Sequence, residues 1–186
     1  MSVADTRATA RPAGRESDGD LSGREGAVAP ARTVHATCVA LDGHGLLLRG
    51  PSGAGKSDLA LRLIDGGALL VADDRTVLSL RGGIVRAAAP AALAGLLEVR
   101  GIGPLPVTAV TESAPVALIV DLVGAGAIER LPAPETEPLL GVAVPRVALD
   151  PFAAGTPAAL RLLAAAMERS CGAWPVVDRP AGEDGS

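Results

Sequence analysis

An α/β fold built on a P-loop, with a strand-heavy mixed sheet, is expected from three features of the chain. The first is Gly50-Pro51-Ser52-Gly53-Ala54-Gly55-Lys56-Ser57, which reads G-x-x-x-x-G-K-S, the phosphate-binding pattern. The second is its setting. The apolar run Leu46-Leu47-Leu48 precedes it as a buried strand would, and Leu59, Ala60, Leu63 and Ile64 follow at helical spacing before Gly66-Gly67 stops the helix. The third is the stretch from Leu69 to Leu149, which offers short apolar or alternating runs bounded by Gly, Pro and Asp, and almost no helical period. An ordinary βαβ kinase would alternate strand and helix there and carry a helical lid.

The remaining elements follow in order. Residues 1–30 hold only Val3, Leu21 and Val28 as large aliphatics, too little apolar surface to offset the entropy of ordering, so a disordered tail is expected. The P-loop domain is expected over 31–172, with a flexible tail over 173–186 in which Trp174 docks or stays free. Val34–Leu41 reads as a strand, Asp42-Gly43-His44-Gly45 as a tight turn and Leu46–Arg49 as the returning strand. Leu69–Ala72 is a short buried strand ending in Asp73-Asp74. Thr76–Leu80 and Ile84–Arg86 form a hairpin about Gly82-Gly83. Ala87–Gly95 has room for one helical turn, Leu96–Ile102 reads as one strand, Val116–Val123 as a central strand, Ala127–Pro138 as a loop and Val142–Leu149 as a strand. Thr156-Pro157 opens a last helix as cap and first-turn proline, with Leu160, Leu163, Ala164 and Met167 as its core stripe and Gly172 as its stop. That gives two helices and about eight strands.

Composition removes several functions. The 186 residues suit one domain, with a core of Leu, Val, Ile and Ala. One Phe, one Trp and no Tyr leave no stacking platform for single-stranded nucleic acid, and a net charge of −4 disfavours binding to a phosphate backbone. Cys38 and Cys171 form neither a disulfide framework nor a metal spacing, so reduced thiols are expected. No apolar run reaches the ~18 residues of a membrane helix and no secretory signal opens the chain, which places it in the cytoplasm. Lys56 is the only lysine beside 16 arginines. Where a generic positive charge would serve, this chain uses Arg; the one Lys stands where a compact ammonium on a flexible stem is needed.

Phosphoryl transfer needs an anion cradle, a metal, a group that takes the nucleophile's proton, and positive charge. The glycines of the loop turn backbone N–H groups toward one anion, Lys56 reaches the β- and γ-phosphates, and Ser57 offers a hydroxyl to Mg²⁺. Two acidic sites compete for the rest. Asp73-Asp74 follows a buried strand soon after the P-loop helix. Asp121 ends Val116-Ala117-Leu118-Ile119-Val120-Asp121, a Walker B-like run. His44 reads as a turn residue. His35, in the strand beside the P-loop strand, is either structural or in the site. Glu98 and Arg130 read equally well as an exposed strand carboxylate and a loop ion-pair partner.

Several of these residues line up with one family. His35, Gly50–Ser57, Val71-Ala72-Asp73-Asp74 and the stretch Leu96-Leu97-Glu98-Val99-Arg100-Gly101-Ile102-Gly103 together resemble the catalytic domain of HPr kinase/phosphorylase, over roughly residues 33–170. The last stretch resembles the family's L-E-x-R-G-[LI]-G signature. The resemblance implies a fold like that of phosphoenolpyruvate carboxykinase, hexameric assembly, and ATP- and Mg²⁺-dependent phosphorylation of a seryl hydroxyl of the phosphocarrier protein HPr. That activity would regulate the phosphotransferase system and carbohydrate metabolism. It also implies roles: Lys56 on the transferred phosphate, Ser57 and Glu98 on Mg²⁺, Asp74 as acceptor of the serine proton with Asp73 beside it, and His35 and Arg130 completing the site. The chain departs from the family in three places, one being the tail of the signature, Gly103-Pro104-Leu105-Pro106. Only a short tail precedes His35, as in a short form with the catalytic domain alone. The loop Asp150-Pro151-Phe152-Ala153-Ala154-Gly155 lacks the arginine that the family associates with phosphorolysis, so weak or absent phosphorolysis is expected. Two other readings are a small-molecule P-loop kinase, which predicts an arginine-bearing helical lid, and a nucleotide-binding regulatory module without turnover.

Overall fold

The computed structural model describes residues 31–169. The two tails, Trp174, Cys171 and the helix stop at Gly172 lie outside the described residues. Within them the chain runs β1 (Ala31–Leu41), β2 (His44–Arg49), α1 (Lys56–Asp65), β3 (Leu69–Ala72), β4 (Arg75–Arg81), β5 (Ile84–Ala88), β6 (Leu96–Val99), β7 (Gly103–Pro106), β8 (Ser113–Leu122), β9 (Glu135–Leu139), β10 (Val142–Leu149) and α2 (Thr156–Arg169). Single 3₁₀ turns stand at Ala91–Leu93 and Ala125–Ala127. No helix among the described residues is long and apolar enough to cross a membrane.

Two long strands organise the sheet by changing partners part-way. β1 pairs with β4 through Ala31–His35 and with β2 through Ala36–Leu41. β8 pairs with β5 through Ser113–Pro115 and with β2 from Val116 onward. Since β4 also pairs with β5, the circuit β1–β4–β5–β8–β2 closes on itself. β3 adds to β1, β10 adds parallel to β8, and β9 adds to β10. β2, β8 and β10 run parallel, and β3, antiparallel to β1 as β2 is, shares their direction. The carboxyl ends of β3, β2, β8 and β10 therefore meet on one rim, the edge at which α/β sheets bind ligands.

Side chains alternate across a strand, so the central strands feed two cores. Leu46 and Leu48 face α1 and α2, packing with Leu59, Leu63, Leu160 and Met167. Leu47 faces the interior of the ring, where each of the five ring strands contributes, among them Cys38, Leu78, Val85 and Ile119. Ala36, Ala40, Ala87 and Ala114 keep that interior narrow enough to fill. Burial pushes the Cys38 thiol up to about 12, so it is an inert core residue.

The expected helices and most expected strands are present, and the absence of a helical lid among the described residues agrees with the strand-heavy reading. Four local expectations are corrected. His44 is the first residue of β2, because Asp42-Gly43 alone makes the turn. Leu96–Ile102 is not one strand: the chain reverses after Val99 and returns as β7. The loop over Ala127–Pro138 ends in strand β9. Its Pro138 is tolerated because β9 is an edge strand with β10 as its partner. Thr156 does not cap its own helix; its hydroxyl donates to the Asp150 carbonyl (2.6 Å).

Candidate active site

The acidic pair sits in an interruption of a ladder. β3 and β4 both run antiparallel along β1, with Cys38 opposite Ala72 and His35 opposite Arg75. Continuing that register sets Asp73 against Thr37 and Asp74 against Ala36, and there the ladder breaks. Asp74 takes a left-handed backbone (φ 60°), a conformation that costs an L-residue about 1–2 kcal/mol and that Asp adopts more readily than most. The break turns both carboxylates out of the sheet. Asp73 becomes buried, at 6% exposure, while Asp74 stays in the open. It also explains why two residues 39 apart in sequence meet: His35 Nε2 donates to Asp74 Oδ1 at 2.9 Å.

Beside this break, β2 ends at Arg49 opposite Ala36 of β1, and the P-loop begins. Gly55 closes the loop in a left-handed conformation (φ 86°), and no side chain caps α1. Its first N–H groups are thus free to face an anion, with the helix dipole favouring negative charge. Lys56 Nζ donates to the Gly50 and Pro51 carbonyls (2.9 and 3.1 Å), which folds the side chain over the loop. Burial pushes its ammonium below the ordinary lysine range, against the opposing pull of the Asp74 and Asp73 carboxylates.

Asp73 ties the parts together. Its Oδ1 accepts from the Thr37 hydroxyl (2.6 Å) and the Ser57 hydroxyl (2.9 Å), and its Oδ2 accepts from the Glu98 backbone N–H (2.9 Å). One buried carboxylate thereby fixes β1, the head of α1 and the β6–β7 hairpin. Leu97 anchors that hairpin in the core, so Glu98, its neighbour along the strand, points outward. These elements enclose a cavity of about 280 Å³. Ser52, Gly53, Gly55, Lys56 and Ser57 form its floor, His35 and Asp74 one wall, and Glu98 and Arg100 another. A groove lined by Thr33, Val34 and Arg75 adjoins it and shares His35 and Asp74. The Ser57 hydroxyl and Glu98 carboxylate supply hard oxygens of the type Mg²⁺ takes alongside phosphate oxygens. No cluster of three or more His, Cys, Asp or Glu forms an all-protein cage among the described residues.

The competing acid is committed elsewhere. Asp121 stands next to Arg49 across the parallel β2–β8 pairing, the position a Walker B acid would hold. Its carboxylate accepts from Arg49 Nε (2.9 Å) and Nη2 (3.1 Å) and from Arg146, and Glu137 takes the rest of the Arg49 fork (2.6 and 2.8 Å). Burial pushes Asp121 up, but the bonds from Arg49 and Arg146 outweigh it, and the carboxyl lies below its ordinary range. Asp121 does not line the cavity.

The HPr Serine kinase C-terminal domain profile matches residues 26–172. The chain belongs to that family. The HPr kinase/phosphorylase of Bordetella pertussis is 42% identical over 134 residues, covering 66% of this chain and 44% of the relative. That of Burkholderia lata is 39% identical over 133 residues, covering 66% and 41%. This chain thus spans less than half the length of these curated relatives. The solved HPr(Ser) kinase/phosphatase from Coxiella burnetii superposes with a TM-score of 0.69 at 28% identity, over 75% of this chain and 92% of that one.

Within the HPr kinase C-terminal family, the residues expected in the site are mostly brought together. His35, Lys56, Ser57, Asp74, Glu98 and the P-loop residues Ser52, Gly53 and Gly55 line the cavity, and Asp73 braces it from behind. Gly50 and Pro51 hold the Lys56 ammonium, and Ala54 closes the loop by donating its N–H to the Pro51 carbonyl (3.1 Å). Arg130 is the exception. It is exposed on the segment between β8 and β9, and lines neither the cavity nor the groove. The structure adds Thr37, Arg100 and Phe152. Arg100 lies inside the signature stretch, and its guanidinium would be 3.6 Å from a Cβ on Gly53. Thr37 carries no sequence signal, since a Thr in an apolar strand is ordinary.

Proposed function

We propose that this chain is an ATP-dependent protein-serine kinase whose acceptor is a seryl hydroxyl of HPr. One observation carries the reading: the ladder break delivers Asp74 to the same cavity as Lys56 and Ser57, while the Walker B-like acid is withdrawn into an arginine cluster. The P-loop amides and Lys56 hold the triphosphate. Ser57 and Glu98 would hold Mg²⁺, which would supply neutralising charge for the transfer. His35 engages one oxygen of Asp74, and the other accepts the seryl proton as the serine oxygen bonds to the γ-phosphorus. The bond from the γ-phosphorus to the bridging oxygen breaks, and ADP leaves with the electron pair. Asp73, saturated by hydroxyl and amide donors, positions Ser57 and the β6–β7 hairpin rather than taking the proton.

The adjoining groove favours a polypeptide acceptor over a small molecule, because it opens the His35–Asp74 pair to the surface. The reading is tested by mixing the chain with ATP, Mg²⁺ and HPr and assaying HPr for phosphoserine by mass spectrometry. No transfer from folded protein overturns it. A regulatory module without turnover would instead tolerate Asp74→Asn. The forward direction dominates, since the loop over 150–155 contains no arginine of the kind the family associates with phosphorolysis. Release of pyrophosphate from phosphoseryl-HPr and inorganic phosphate would contradict that. We place the enzyme in the cytoplasm as a hexamer, a mass that sedimentation reads directly. Arg130 completes the site in the family resemblance. Its position outside the cavity gives Arg130→Ala a smaller effect on transfer than any cavity residue.

A further inference from the structure

We infer that Phe152 is the platform for the nucleobase, a role that rests on the nucleotide reading above. The chain owns a single Phe and no Tyr, yet it leaves that Phe 66% exposed, lining the phosphate cavity instead of filling a core. The ring is not on a loose loop. Phe152 N–H donates to Asp150 Oδ1 (2.9 Å), Thr156 donates to the Asp150 carbonyl (2.6 Å), and the Arg62 guanidinium donates to the Pro151 carbonyl. The ring also rests on the P-loop itself. A Cβ on Gly55 would come within 2.9 Å of it, so the glycine that shapes the anion cradle also makes room for the aromatic edge.

Topology says which end of a nucleotide meets it. Asp73-Asp74 follow β3 on one flank of the P-loop strand, and Phe152 follows β10 on the other. A nucleotide with its terminal phosphate toward Asp74 runs its nucleoside away from that flank. Asp58 and Leu61 of α1 and Phe152 line the same cavity. An exposed, rigidly held aromatic face at that place suits a flat base, and stacking of this kind contributes roughly tenfold or more in affinity.

Inorganic tripolyphosphate separates this role from one in the phosphate cradle. Binding of ATP and of tripolyphosphate, each with Mg²⁺, is measured by titration calorimetry on the full chain and on Phe152→Ala and Phe152→Trp. Phe152→Ala is expected to weaken ATP about tenfold and leave tripolyphosphate within twofold, and Phe152→Trp to retain ATP. Equal weakening of both ligands, or no change in ATP, overturns the inference. Wild-type binding of tripolyphosphate but not ATP overturns it while sparing the phosphate cradle. Binding of neither removes the nucleotide reading and the inference with it.

Discussion

Asp73-Asp74 and Asp121 both close apolar strands whose carboxyl ends meet the P-loop rim, and the chemistry available to them is opposite. Asp121 is enclosed by two guanidiniums, with Glu137 and Glu135 completing an alternating cluster on Arg49 and Arg146. Its charge is spent on holding β2, β8, β9 and β10 together at the base of the loop. Among the described residues, the Asp73-Asp74 pair meets hydroxyls, an amide and a histidine, and no arginine. Asp74 thereby keeps an accessible carboxylate beside the phosphate cradle. An acid at the end of a strand is a ligand or a base only if its neighbours leave it unneutralised, and neighbours are a property of the sheet, not of the local sequence.

Substitutions on the two sides should separate cleanly. Lys56→Ala is the largest: loss of the phosphate contact is expected to lower kcat/KM for transfer to HPr about 10⁴-fold, through both turnover and nucleotide affinity. Asp74→Asn is expected to lower kcat about 10³-fold with ATP affinity unchanged, measured by steady-state transfer and calorimetry. A parallel loss of ATP affinity would make Asp74 a binding residue instead. On the other side, Arg49→Met leaves Asp121 and Glu137 without their main partner. It should cost about 2 kcal/mol in urea unfolding, between the values for exposed and fully buried pairs. A variant that unfolds like the parent would reduce the cluster to surface decoration.

The smallest effect is in acid. Bonds from Arg49 hold the Glu137 carboxyl below its ordinary value, and those from Arg49 and Arg146 do the same for Asp121 despite its burial. Both carboxyls therefore contribute fully above the unfolded range near pH ~4, and the contribution fades as pH falls through their lower folded values. In Arg49→Met the fall in stability below pH ~4 should be shallower than in the parent, as followed by circular dichroism.

Much of this was legible in the chain. The P-loop, its strand and helix, the buried strand before Asp73 and the central run ending at Asp121 are local patterns of glycine placement and hydrophobic period. What pattern alone could not give depends on pairings between distant segments. That β3 and β4 share one partner strand, and so place His35 on Asp74, rests on a register set across 39 residues. The fate of Asp121 depended on Arg146, supplied by a strand still 25 residues away. β9 was hidden because Glu135, Glu137 and Pro138 look like loop chemistry, and only an edge position with an arginine-bearing neighbour makes them a strand. Phe152 did leave a trace: the chain's only Phe falls in a loop between Pro and Ala.

A site made by interrupting a ladder has a consequence for how this sequence can change length. Inserting or deleting one residue in β1 between Thr33 and Cys38 would slide His35 and Thr37 off their partners and flip the slipped side chains to the other face of the sheet. The same change at the Gly82-Gly83 turn between β4 and β5 would be absorbed at the tip. Length variation among working descendants of this chain should therefore be absent from a few residues of its first strand and concentrated in its turns.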